Sequence, residues 1–138
     1  MQYVEGFMRA SRPRQLRPII EQLFGNPALV GRKMLDDIIS YKRLDGAVEA
    51  LNTIAGAIFK DGRQAVELAP CLAALTIPLQ IIWGDSDRII PATHATGLPT
   101  SVPVHIVPGA GHMVQMEKAE EVSEIIETFL EAYSVPSQ

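Results

Sequence analysis

Apolar positions in the first half of the chain recur at helical spacing. Leu16, Ile19, Ile20, Leu23 and Phe24 form one stripe, and Gly25 is placed to end that helix in the left-handed conformation. Pro18 interrupts the stripe and fits the first turn of a helix, where a missing N–H does no harm. Asn26-Pro27 has the form of an N-cap followed by proline at the first helical position. Leu29, Val30, Met34, Leu35, Ile38 and Ile39 then make a second stripe. A third helix is expected from Asp45, with Ala47, Val48, Leu51, Ile54, Ala55 and Ile58 facing inward and Asp61-Gly62 closing it. Helices this short hold only when a broad apolar face packs on something larger. Residues 1–69 are therefore expected to be all-helical.

The period changes near Pro70. Leu79 to Trp83 is short, rich in β-branched residues and apolar on nearly both faces, the pattern of a buried parallel strand ending at Gly84. Val102 to Val107 reads as a second strand, with Pro103 near its start and His105 on one face, both suited to an edge. Pro91 to Gly97 reads as a short helix between them. Val122, Ile125, Ile126, Phe129, Leu130 and Tyr133 give a final amphipathic helix with Glu120, Glu121 and Glu124 in its first half, and the tail Ser134–Gln138 is expected to fray. Residues 70–138 are thus expected to form a β-α-β-α unit. Two parallel strands are few for a buried sheet, so further strands are expected from outside this sequence.

Composition narrows the function classes. The 138 residues carry a formal net charge of -4, with 47% hydrophobic and 20% charged residues. That describes a globular domain with no general attraction for nucleic acid. No apolar block of signal-peptide length opens the chain, and the longest apolar stretch, Leu72 to Trp83, is too short to span a bilayer. No membrane partner is expected. The single Cys71 cannot form an internal disulfide, which points to a reducing, cytoplasmic setting; its apolar neighbours suggest a small buried hydrophobe. His94, His105 and His112 show no metal-ligand spacing, and His94 and His105 read as surface residues.

The chemistry-bearing pattern is Trp83-Gly84-Asp85-Ser86-Asp87-Arg88-Ile89-Ile90-Pro91, followed by Pro108-Gly109-Ala110-Gly111-His112-Met113. Each lies at the carboxyl end of an expected strand, where open α/β sheets place their sites. Asp87 and His112 are 25 residues apart, the length of one β–α–β crossover, so both reach the same rim of the sheet. A carboxylate there can accept the Nδ1 proton of the imidazole and stabilise the imidazolium that forms when Nε2 takes a proton. From the residues alone, Asp85 competes with Asp87 for that role, and either could instead satisfy the turn.

Strand, acid turn, crossover length and glycine-flanked histidine together resemble the C-terminal part of the α/β-hydrolase fold, whose triad runs nucleophile, acid, base along the chain. The resemblance places the acid at Asp87 and the base at His112. The nucleophile is not here: Ser11, Ser40, Ser86, Ser101, Ser123, Ser134 and Ser137 all lie outside any Gly-x-Ser-x-Gly elbow. More narrowly, four segments resemble the acyltransferase component of acetoin dehydrogenase complexes. They are Tyr41-Lys42-Arg43-Leu44-Asp45-Gly46, Asp61-Gly62-Arg63-Gln64-Ala65-Val66, Ile82 to Pro91, and Gly109-Ala110-Gly111-His112-Met113-Val114-Gln115-Met116-Glu117. That resemblance implies cap helices over residues 1–69 and the last two β–α units of the core over residues 70–138. It also implies an acetyl transfer from dihydrolipoyl-lysine to coenzyme A in a longer parent protein, and membership of a multienzyme assembly. No cofactor is expected in this chain itself. Two other readings share the motif: part of a serine esterase or carbon–carbon bond hydrolase, and a non-enzymatic truncated interaction module that self-associates.

Overall fold

The computed structural model describes residues 2–60, 63–65, 67, 69–72 and 74–133. The expected Asp61-Gly62 helix stop and the tail from Ser134 lie outside them. The chain divides into two compact units. One comprises Met1–Gln22 and Pro27–Leu68; the other comprises Leu23–Asn26 and Ala69–Gln138.

The first unit begins with a helix that the sequence reading did not assign, α1 (Gln2–Arg9). Tyr3 and Phe7, one turn apart, stack with ring centroids 6.4 Å apart. Its carboxyl end is covered by a side chain: the Lys42 ammonium donates to the carbonyls of Phe7 and Ala10 and lies 4.7 Å from the Phe7 ring centroid. Burial pushes that ammonium's pKa down, while the helix carbonyls it meets carry the negative end of the dipole.

Helix α2 spans Pro13–Ile20 and corrects the expectation for Pro18. Pro13, not Pro18, occupies the first turn, and Pro18 sits inside the helix. The ring removes one internal hydrogen bond, and the helix runs on only into a 3-10 turn at Glu21–Leu23. Leu16 and Ile20 are buried. A second 3-10 turn at Pro27–Leu29 follows, so Asn26-Pro27 does not open the next helix. Helix α3 starts later, at Arg32, and runs to Lys42 with Leu35 and Ile39 buried.

Helix α4 (Ala47–Ile58) starts two residues after the expected Asp45, behind Gly46, whose φ of 77° favours glycine. Its apolar face is largely open: no residue of α4 is buried, and Val48, Ile54 and Ile58 are about half exposed. The unit is not all-helical. Phe59–Lys60 (β1) pairs antiparallel with Arg63–Gln64 (β2).

The second unit opens with one helical turn, α5 (Ala69–Leu72). Cys71 there is exposed, which corrects the buried reading: a single turn too short to bury a face leaves its thiol in solvent. Strand β3 (Ile81–Gly84) and strand β4 (Val104–Val107) pair in parallel, Ile81 opposite Val104 and Gly84 opposite Val107. The segment between them holds a 3-10 helix at Ala92–Ala95 rather than an α-helix. A single turn, α6 (Val114–Glu117), then leads into α7 (Ala119–Tyr133).

The core of this unit is Val107, Ala110, Val114 and Val122, with Ile82 and Ile125 packed against it. Ile126, Leu130 and Tyr133 of α7 stay 41%, 57% and 55% exposed, so the expected stripe is wider than the face this chain covers. Among the described residues, no helix is long and apolar enough to cross a membrane.

Candidate active site

The carboxyl ends of β3 and β4 bring the two motif loops together within the second unit. Beyond Gly84, the Asp85 N–H donates to the Val107 carbonyl at 3.1 Å and the Ser86 N–H to the Ala110 carbonyl at 2.9 Å. Gly84 is glycine for a steric reason: a Cβ there would run into the carbonyl oxygens of Ala110 and Gly111. The acid turn therefore lies directly against the histidine loop.

Asp85 fastens that contact. Its Oδ1 accepts from the Gly109 N–H at 2.8 Å and from the Ser86 hydroxyl at 2.8 Å. Gly109 adopts φ 69°, which lets the loop turn there. The carboxylate that competed with Asp87 is thus spent on holding the loop, and it does not bond the imidazole.

Asp87 is 8% exposed and takes four hydrogen bonds. Its Oδ1 accepts from the backbone N–H groups of Ile89 at 2.8 Å and Ile90 at 2.9 Å. Its Oδ2 accepts from the Trp83 indole at 3.1 Å and stands 2.9 Å from His112 Nδ1. Burial pushes the carboxyl's pKa up. The Ile90 N–H, the His112 ring and the Ile89 N–H outweigh it together and hold the group below its ordinary value. Asp87 therefore stays ionised, and an ionised partner keeps the proton on His112 Nδ1 and leaves Nε2 as the basic lone pair. Among the described residues, nothing bonds Nε2, and the His112 side chain is 34% exposed.

The structure brings together Asp87 and His112 and leaves the other histidines elsewhere: His94 is exposed, and His105 is half-buried on β4. Among the described residues, no His, Cys, Asp and Glu cluster could hold a metal ion. Two participants escaped the sequence reading. Trp83 shares its indole proton between Asp87 Oδ2 and the Ile90 carbonyl, the latter at 3.0 Å. The signal was available, because an indole offers one donor and stands four residues before the acid. Glu117 accepts the Gly111 N–H at 2.6 Å, directly before His112, as well as the N–H groups of Gly25 and Asn26. No sequence pattern joins Glu117 to residues 91 and 92 positions away.

No protein-family profile matches the sequence. The chain is 42% identical over 128 residues to the dihydrolipoyllysine-residue acetyltransferase component of the acetoin cleaving system of Cupriavidus necator, covering 93% of this chain and 34% of that protein. It is 45% identical over 129 residues to the component of the same name from Pseudomonas putida, covering 94% and 34%. The chain thus spans about a third of the length of these relatives. Among solved structures, a meta-cleavage product hydrolase from Pseudomonas fluorescens superposes with a TM-score of 0.77 at 15% identity, covering 93% of this chain and 48% of that one. The chain is therefore part of an α/β-hydrolase fold and a homologue of the acetyltransferase components of acetoin cleaving systems, matching about a third of their length.

Proposed function

We propose that Asp87 and His112 are the acid and base of an acyl-transfer relay, in an acetyltransferase of the acetoin-cleaving kind, and serve a nucleophile that this sequence does not contain. The observation that carries the reading is the 2.9 Å Asp87–His112 hydrogen bond, made by a buried carboxylate whose other donors keep it ionised. The likeness to two acetyltransferase components supports acetyl transfer over simple hydrolysis.

In that role His112 Nε2 takes the proton of an attacking hydroxyl, and Asp87 stabilises the imidazolium. The acetyl carbon leaves the sulfur of its thioester for that oxygen, and the departing sulfur takes the proton back from the imidazolium. A second thiol then attacks the ester, with His112 again receiving and returning the proton. Dihydrolipoyl-lysine and coenzyme A enter as the two thiol substrates. Residues 1–69, apart from the Leu23–Asn26 segment that belongs to the second unit, serve as a mainly helical cap segment, and residues 70–138 supply the last two β–α units of the catalytic core. A multienzyme assembly and a reducing cytoplasm, which keeps both substrate thiols and the exposed Cys71 reduced, fit the same reading.

A chimera tests it: the matched third of the Pseudomonas putida component is replaced by this chain. The chimera is expected to transfer acetyl groups from acetyl-coenzyme A to dihydrolipoamide, and His112→Ala is expected to slow that transfer about 10²–10⁴-fold. Transfer that survives His112→Ala removes the assigned base. A chimera that cleaves esters but transfers nothing points to the hydrolase reading instead.

A further inference from the structure

Both backbone N–H groups that flank His112 are anchored to groups outside its own loop. On one side, Gly111 N–H donates to Glu117 Oε1 at 2.6 Å; on the other, Met113 N–H donates to the Leu23 carbonyl at 3.1 Å. Glu117 also holds the segment that carries Leu23, because its Oε1 accepts from Gly25 N–H at 3.0 Å and its Oε2 from Asn26 N–H at 2.9 Å. One carboxylate therefore fastens the histidine loop and the Leu23–Asn26 segment to each other within the same unit. Among the described residues no cationic side chain pairs with it, so its charge is met by three backbone dipoles. Hydrogen bonds to a charged acceptor are shorter and stronger than neutral ones.

The steric fit around it is close. A Cβ on Gly111 would lie 2.5 Å from the Gly25 nitrogen, and a Cβ on Gly25 would lie 2.5 Å from the Gly109 carbonyl oxygen. The loop can approach this segment only as bare backbone, and the carboxylate fixes how closely it does so.

We propose that Glu117 is a positioning residue: by clamping Gly111 to Gly25 and Asn26, it holds the His112 ring where Nδ1 meets Asp87. The inference rests on the relay reading above and extends it to a third carboxylate that touches neither substrate nor imidazole. A Gln at this position keeps one acceptor oxygen but turns an amide N–H₂ towards a backbone N–H, so it preserves part of the clamp; an Ala removes it.

The test is the solvent exchange of the His112 Nδ1 proton in the 138-residue chain, followed by its far-downfield NMR resonance. The α7 amide resonances report whether the unit stays folded. The resonance is expected in the unsubstituted chain, with exchange about tenfold faster in Glu117→Gln and loss of the signal in Glu117→Ala. A merely structural role would shift the α7 amides along with the histidine proton, or neither. If exchange is unchanged in Glu117→Gln, the inference is overturned, and that variant decides the matter should Glu117→Ala fail to fold. If the resonance is already missing without any substitution, the relay reading falls and takes this inference with it.

Discussion

At the scale of single residues, Asp87 shows how two opposed effects on one carboxyl resolve. Desolvation alone would favour the neutral acid, but two backbone N–H groups and the imidazole bond the charged form and win. This has a consequence for acid stability. The folded carboxyl binds its proton more weakly than the unfolded one, whose pKa is about 3.9. The folded state therefore carries fewer protons, and stability that is present above the unfolded value is lost as pH falls through the folded one. Urea unfolding of the native chain is expected to weaken more steeply with acidification below about pH 4 than that of Asp87→Asn, which has no proton to gain. Parallel pH profiles for the two would show that Asp87 is not held ionised by its neighbours. The pair itself was legible in the sequence, because a turn aspartate and a glycine-flanked histidine one crossover apart must share a rim. The residues alone leave open which aspartate bonds the ring; the family resemblance points to Asp87, and the backbone puts that carboxylate on the imidazole. Asp85 faces Gly109, whereas Asp87 faces Trp83, Ile89, Ile90 and His112.

Among the elements, local signals worked where one residue type dictates one geometry and failed where a distant contact decides. The parallel pairing of β3 with β4 follows from two short apolar runs separated by a crossover. Gly25 is the counter-example. The apolar stripe before it predicts a left-handed helix end, yet positive φ occurs at Gly46, Gly97 and Gly109 instead. Gly25 is glycine because the backbone around Gly109 to Gly111 comes too close for a side chain, a partner more than eighty positions away. Helix α1 is as long as α2 and sets Tyr3, Val4, Phe7 and Met8 at helical spacing, so its signal is present in the sequence, whereas the two-residue strands β1 and β2 are too short to show a period. Two glycine substitutions separate these causes. Gly25→Ala is expected to destabilise the fold by about 1–3 kcal/mol through overpacking against backbone. Gly56→Ala, in α4 with nothing within 4 Å of the added carbon, is expected to stabilise it by about 0.5–1 kcal/mol. Denaturant titrations measure both; equal effects of one sign would remove the distinction.

For the molecule as a whole, the hydrogen-bonded Asp87–His112 pair and the turns that carry it stand, among the described residues, on the two-stranded β3–β4 sheet. Half the length of a structurally similar hydrolase and about a third of the acetyltransferase relatives are matched. The open apolar faces of α4 and α7 belong with that partial coverage: their stripes are wide enough for neighbours that the described residues do not supply. Periodicity in the sequence marks these faces as apolar, but the inward placement expected for the α4 stripe is not met, since no residue of α4 is buried. The central claim, that Asp87 acts through His112 and not independently, is most directly tested by acetyl transfer in the chimera carrying Asp87→Asn, His112→Ala or both. Residues that work as one relay are non-additive. The double variant is expected to be no slower than His112→Ala alone, with each single substitution lowering kcat about 10²–10⁴-fold. A double variant slowed by the product of the two single effects would contradict the relay.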